Sequence, residues 1–190
     1  MSASTALPYK PHRLSVADYY RMAEVGILSV EDHVELIEGE LIDMPPIGIL
    51  HAGTVDYLVN LLSLAAGKQA IIRTQNPIVL GLFSEPQPDI TLLRARADYY
   101  RSSHPGPADI LLIIEVADTT LRFDREFKIP LYAQHGIPES WVVDLNKQLL
   151  HVYRQPAGGR YLEQQCQADP CSWVPVMLPG CSLDLTKLWG

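Results

Sequence analysis

The chain has 190 residues, 47% of them hydrophobic and 19% charged, with three cysteines and a formal net charge of −7 at pH 7. That is enough chain for one globular domain with a substantial core, and no apolar run approaches the roughly 20 residues of a membrane helix, so no membrane association is expected. The acidic balance argues against holding nucleic acid by general electrostatics alone, but it leaves room for an acidic site neutralised by metal ions.

The opening "MSASTALPYKPHRLS" lacks the apolar middle of a signal peptide. A cytoplasmic protein is expected, with a single domain over residues 1–190 and residues 1–11 as a flexible N-terminal arm. "LSVADYYRMAEVG" predicts a helix, with Ser15 as N-cap, Asp18 three residues on and Gly26 as its stop. In "HVELIEGELIDM" two alternating segments flank Glu38-Gly39, a two-residue hairpin turn. Such a turn sets Glu35 against Ile42 and Ile37 against Glu40, so all four share one face. A helix follows from about His51 to Ala66, with Val55, Leu58, Val59, Leu62 and Ala66 at helical spacing and Gly67 as the stop.

From Ala70, "AIIRTQNPIVLG" reads as one strand, or as two broken at Asn76-Pro77. In "SEPQPDITLL" proline suits the first position of a strand, and alternation puts Ile90 and Leu92 on one face, Asp89 and Thr91 on the other. "RARADYYRSSHPGPAD" is a basic, aromatic connection. "ILLIIEVA" has the pattern of a strand buried on both faces, apolar until Glu115. "DTTLRFDREFKIPLYAQHG" predicts a helix ending at Gly136, which either starts near Lys128 or kinks there, because Pro130 removes an interior hydrogen bond. "SWVVDLNKQLLHVYRQ" predicts a hairpin turning at Asn146-Lys147, and further strands complete the chain. This order fits an α+β or α/β sheet flanked by helices.

Two carboxylates stand out, Asp89 and Glu115, each on a strand-like segment. Ionised carboxylates in apolar surroundings are costly unless paired or bound to a metal. Two of them ~5 Å apart repel by roughly 3 kcal/mol at an effective dielectric near 20. A divalent cation converts that repulsion into binding energy, and magnesium accepts a few carboxylates with retained waters. Lys128 is the nearest following long amine. It either orients water or counters phosphate charge, or it is a solvated helix residue paired with Asp124 at i,i+4.

"VELIEGELI", "SEPQPDITLL" and "IIEVADTTLRFDREFKIPLYAQHGIPESWVVDL" resemble the Uma-two family of endonucleases, within the PD-(D/E)XK superfamily, from about His12 to the C-terminus. The resemblance implies a restriction-endonuclease-like fold: a mixed central β-sheet flanked by helices, with extra β-hairpins. It also implies DNA as substrate and Mg2+ as cofactor, with Mn2+ as a substitute, held by Asp89 and Glu115. The superfamily lysine is expected two residues after that glutamate. Ala117 stands there, and Lys128 looks like its migrated replacement. A further acid is expected from the first hairpin, where Glu35 and Glu40 are both candidates, Glu40 also as a metal ligand. His51 is similar in position to a family histidine and either contacts the site or caps its helix.

Basic residues expected to guide a DNA backbone are Arg94, Arg96 and Arg101 near Tyr99 and Tyr100, with Arg122 and Arg125. A solvated loop or a dimer contact accounts for the first cluster equally well. Gln87 is expected near a phosphate or on the surface. Trp141 and Tyr132 are expected as core aromatics, and His104, His135 and His151 show no ligand spacing. The three cysteines lack a Cys-x-x-Cys pair and are expected as reduced thiols. The hairpin after Ser140 offers an edge for pairing two chains, which makes a homodimer an expectation. Against nuclease activity stands a catalytically silent interaction module, or a hydrolase of another phosphoester, on the same fold.

Overall fold

The computed structural model describes residues 11–29 and 31–190, so the expected N-terminal arm, apart from Pro11, lies outside the described residues. Helix α1 (Val16–Glu24) is closed by the expected capping box, Ser15 and Asp18 each serving the other's backbone N–H, and Gly26 follows with a φ of +76°. Strands β1 (Val34–Ile37) and β2 (Glu40–Asp43) form a hairpin in the expected register, Glu35 opposite Ile42 and Ile37 opposite Glu40. Its turn needs positive φ at both central residues, 51° at Glu38 and 87° at Gly39. A side chain at Gly39 would also collide with Arg13, its Cβ lying only 2.5 Å from that of Arg13.

Helix α2 (Ile49–Ala66) buries Thr54, Val55, Leu58, Leu62 and Ala66. It is long and apolar enough, by length and composition alone, to cross a membrane. This departs from the expectation that no such run exists. Part of the apolar character goes into one packed face, where Val55, Leu58, Leu62 and Ala66 share a cluster with Ile90, Leu92 and Trp141, while Ile49, Leu50 and Leu64 stay exposed. Strand β3 (Ala70–Thr74) ends before Asn76-Pro77, and no second strand follows before β4 (Ile90–Arg94). Beyond β4 come β5 (Ile110–Ala117), α3 (Leu121–Phe123), α4 (Ile129–Gln134), β6 (Glu139–Asp144), β7 (Leu149–Ala157) and β8 (Arg160–Gln167), followed by a short pair, β9 (Ser172–Trp173) and β10 (Leu183–Asp184).

The central sheet has six strands in the order β3-β4-β5-β6-β7-β8. Only β5 and β6 run parallel. A parallel neighbour needs a crossover, and the segment carrying α3 and α4 supplies it. It covers one face of the sheet, packing Leu131, Tyr132 and Ala133 with Ile113, Ala117 and Val142, while α2 and the C-terminal residues cover the other. Between α3 and α4 the chain makes one π-helical turn, Asp124–Lys128, with the Ile129 N–H donating to the Asp124 carbonyl. Neither a start at Lys128 nor a simple kink describes this. The wider turn carries the helix up to Pro130, which sits at the start of α4 where its missing N–H costs little.

Strand β7 lies inside the sheet, paired with β6 on one side and β8 on the other. The β6–β7 hairpin therefore presents no free edge, contrary to expectation, because β8 covers it from Leu150 to Ala157. Among the described residues the outer strands of the sheet are β3 and β8. Trp141 is a core aromatic as expected, and its indole donates to the fully buried Glu139. Glu139 also accepts from the Trp173 indole and the Val176 N–H and pairs with Arg154 at 2.9 Å, tying the C-terminal segment to the sheet. Cys166, Cys171 and Cys181 are all unpaired, as expected.

Candidate active site

Antiparallel pairing of β4 with β5 sets Ile90 opposite Ile114, so the next residue on each strand, Asp89 and Glu115, meets at one end of the sheet. The two acids clamp each other's backbone. Asp89 Oδ2 accepts the Val116 N–H at 2.8 Å, and Glu115 Oε2 faces the Asp89 N–H at 3.4 Å. The other Asp89 oxygen lies 3.1 Å from His51 Nε2, on the first turn of α2. Glu115 Oε1 accepts from the Tyr132 hydroxyl and lies 3.4 Å from Lys128 Nζ.

Lys128 is buried, not a solvated partner of Asp124. Its ammonium lies 3.1 Å from Glu35 Oε1 as well as beside Glu115. Glu35's second oxygen accepts the Gln87 N–H at 3.0 Å, and the Gln87 side chain turns to the Val34 carbonyl. Glu35 and Glu40 share a face of the first hairpin but not a depth. Glu35 is 2% exposed, whereas Glu40 sits beside the turn and is exposed. Two residues of strand, roughly 6.6 Å, separate Ile37, the partner of Glu40, from Glu35, enough to carry Glu40 clear of the site. Glu40 does not line the cleft.

These groups open onto a cleft of about 950 Å³. Its lining holds six carboxylates, Glu35, Asp43, Asp89, Glu115, Asp118 and Asp124, against one lysine and two histidines. Burial pushes the Glu115 carboxyl up to about 8, with Lys128 pulling the other way. Asp124 is raised by burial to about 6, again opposed by Lys128 and by the Thr120 hydroxyl. For Lys128 burial alone would favour the neutral amine, but Glu115, Glu35, Asp124 and Asp89 together hold it above its ordinary value. The hydrogen bond to Asp89 raises His51, against the opposing effect of burial. Its other nitrogen, Nδ1, is buried without a partner among the described residues.

A family model described as "Putative restriction endonuclease" (Uma2) matches residues 16–186. The chain belongs to the Uma2 family. A solved structure described as a "putative nuclease belonging to DUF820", from Anabaena variabilis, superposes with a TM-score of 0.73 at 18% identity, over 93% of this chain and 97% of that one. The fold is thus restriction-endonuclease-like, as expected. No curated protein matches the chain.

In this Uma2 chain Asp89, Glu115, Lys128, Glu35 and His51 converge on one cleft, and Glu40 stands apart. Two further residues belong to it that the sequence pattern did not single out. Tyr132 is a core aromatic by burial, yet its hydroxyl bonds a cleft carboxylate. Asp124 is 3% exposed and lines the cleft. The i+4 spacing of Asp124 and Lys128, which also allowed a solvated surface pair, was the available signal that both face one way. No arginine lines the cleft, nor do His104, His135 or His151. Arg96 is engaged by Asp98, Ser102 and Ser103, and Arg94 by the Ala108 carbonyl.

Among the described residues no three His, Cys, Asp or Glu side chains are already arranged as a metal cage. Magnesium does not need one, since it commonly binds through one or two carboxylates and keeps several waters. Adjacent Asp89 and Glu115, both lining an acidic cleft, fit that demand.

Proposed function

We propose that the chain is an endonuclease that hydrolyses DNA phosphodiester bonds, with Mg2+ or Mn2+ held by Asp89 and Glu115. One observation carries this: the cleft has six carboxylates and a single lysine, so it repels a phosphodiester unless cations enter first. A divalent ion bound there would lower the pKa of water and offset charge developing on the phosphate. The protein's own contribution is positional. The Val116 N–H and His51 fix the Asp89 carboxylate, Tyr132 and Lys128 fix Glu115, and Glu35 holds Lys128 at the cleft floor. From there the ammonium faces a phosphate oxygen or an attacking water, the role otherwise filled by a lysine at position 117.

The catalytically silent module draws support from one feature. Lys128 already compensates Glu35 and Glu115 without any metal. Calorimetric titration with Mg2+ and Mn2+, together with nicking of supercoiled DNA, separates the alternatives. Wild type is expected to bind metal and nick, and the Asp89→Asn/Glu115→Gln double variant to fold but do neither. A folded wild type that binds no metal at millimolar concentration would make the acids structural. Metal binding without nicking would point to another phosphoester.

A further inference from the structure

The helical segment that floors the acidic cleft has a basic opposite side. There a groove of about 430 Å³ has Arg122, Arg125, Arg160, Tyr153, Tyr161 and Gln164 in its lining, with Glu126 as its sole acid and Leu121, Ile129 and Pro130 as its apolar part. Glu126 is committed to Arg122, at 2.9 Å. Arg125 and Arg160 have no carboxylate partner among the described residues. Arg125 Nε donates to the Tyr153 hydroxyl at 3.1 Å, and Tyr153 itself is only 4% exposed. A rigid core residue thus holds the guanidinium while its two terminal nitrogens make no other hydrogen bond among the described residues. Arginine's planar fork is suited to phosphate, and fixing it beforehand lowers the entropy lost on binding.

Placement identifies the occupant. Asp124 and Lys128 line the cleft, while Arg122 and Arg125, on the same segment, line the groove. The two sites therefore lie on opposite sides of one helix, about 10 Å across. Phosphates follow one another every ~3.4 Å along the axis of a duplex strand, so a backbone that crosses this helix from cleft to groove spans roughly three nucleotides. A locally positive groove beside an acidic cleft, on a chain of net charge −7, matches a polyanion that needs an anchor outside the cleft itself.

We propose that this groove is a backbone subsite, in which Arg125 and Arg160, with Arg122, hold phosphates of the DNA strand flanking the one cut in the cleft. The assignment rests on the nuclease function proposed above, and the test separates the two. Arg125→Ala/Arg160→Ala removes two exposed side chains, and its fold is checked by circular dichroism. Binding of a fluorescein-labelled 20-base-pair duplex is followed by anisotropy across a KCl series in Mg2+. Hydrolysis of bis(p-nitrophenyl) phosphate, too short to span from cleft to groove, is measured in parallel. The variant is expected to bind about tenfold more weakly. Its slope of log affinity against log salt should be shallower by about 2, with hydrolysis of the short substrate unchanged. Unchanged affinity and slope overturn the subsite, as does a wild type that binds no duplex, or a variant that loses the short-substrate reaction equally. A wild type that binds through the groove but hydrolyses neither substrate keeps the subsite and removes the nuclease assignment.

Discussion

Glu35 on the first hairpin and Lys128 on the crossover helix stand 3.1 Å apart, their side chains 3% and 8% exposed, and this buried pair joins two parts of the chain that no sheet connects. Lys128 also serves Glu115. Removing a single partner of such a set leaves charge buried without compensation. Lys128→Ala is therefore expected to lose about 3–5 kcal/mol of stability by urea denaturation. Adding Glu35→Gln to it should cost much less than the sum of the single changes, which a double-mutant cycle reads as coupling. Additive losses would show that the pair does not act as a unit.

Glu35 and Glu40 share a hairpin face and differ in depth, which makes them a matched comparison. Glu40→Gln should change stability by no more than about 0.5 kcal/mol and leave metal affinity and nicking intact. Glu35→Gln should destabilise the fold and impair nicking, since it releases Lys128. Equal effects from both substitutions would contradict the depth difference.

Tyr132→Phe deletes one hydroxyl and little volume. Above about pH 8, where Glu115 is ionised, the lost hydrogen bond to a charged group is expected to cost about 1.5–3 kcal/mol. That hydroxyl lowers the Glu115 pKa, so without it Glu115 takes up a proton more readily. The acidic limb of the pH–rate profile should move to higher pH, an effect that a purely packing role for Tyr132 would not produce.

Metal-free stability should fall as pH rises from about 4.5 to about 8. In this window the folded chain keeps protons on Glu115 and, in the lower part, on Asp124, whereas the unfolded chain has released them, so each added pH unit favours unfolding. His51 acts in the same direction, because its folded pKa is raised: its stabilising effect is full below the ordinary histidine value and is lost as pH climbs through the folded one. Mg2+ competes with those protons, so its increase in melting temperature should be larger at pH 8 than at pH 5.5. A Mg2+ effect independent of pH would argue that the ion binds away from Glu115.

Much of the local structure was fixed by chemistry visible in the chain. Ser15 and Asp18 form a cap because each has a backbone N–H within reach, Glu38-Gly39 makes the hairpin because both positions need positive φ, and the unbroken apolar run before Glu115 can lie only in the middle of a sheet. Asp89 and Glu115 were legible as a pair because isolated carboxylates on apolar strands call for compensation. What partners each carboxylate was not legible. Glu35 and Glu40 have the same period-2 address, and only the packing of the hairpin decides which one is buried. Lys128 read either as a site amine or as a solvated partner of Asp124, and Tyr132 as an ordinary core ring. The π-helical turn and the parallel β5–β6 crossover bring Lys128 and Tyr132 against Glu115 and Asp124 into the same cleft, and those arise from how distant elements pack, which no local pattern encodes.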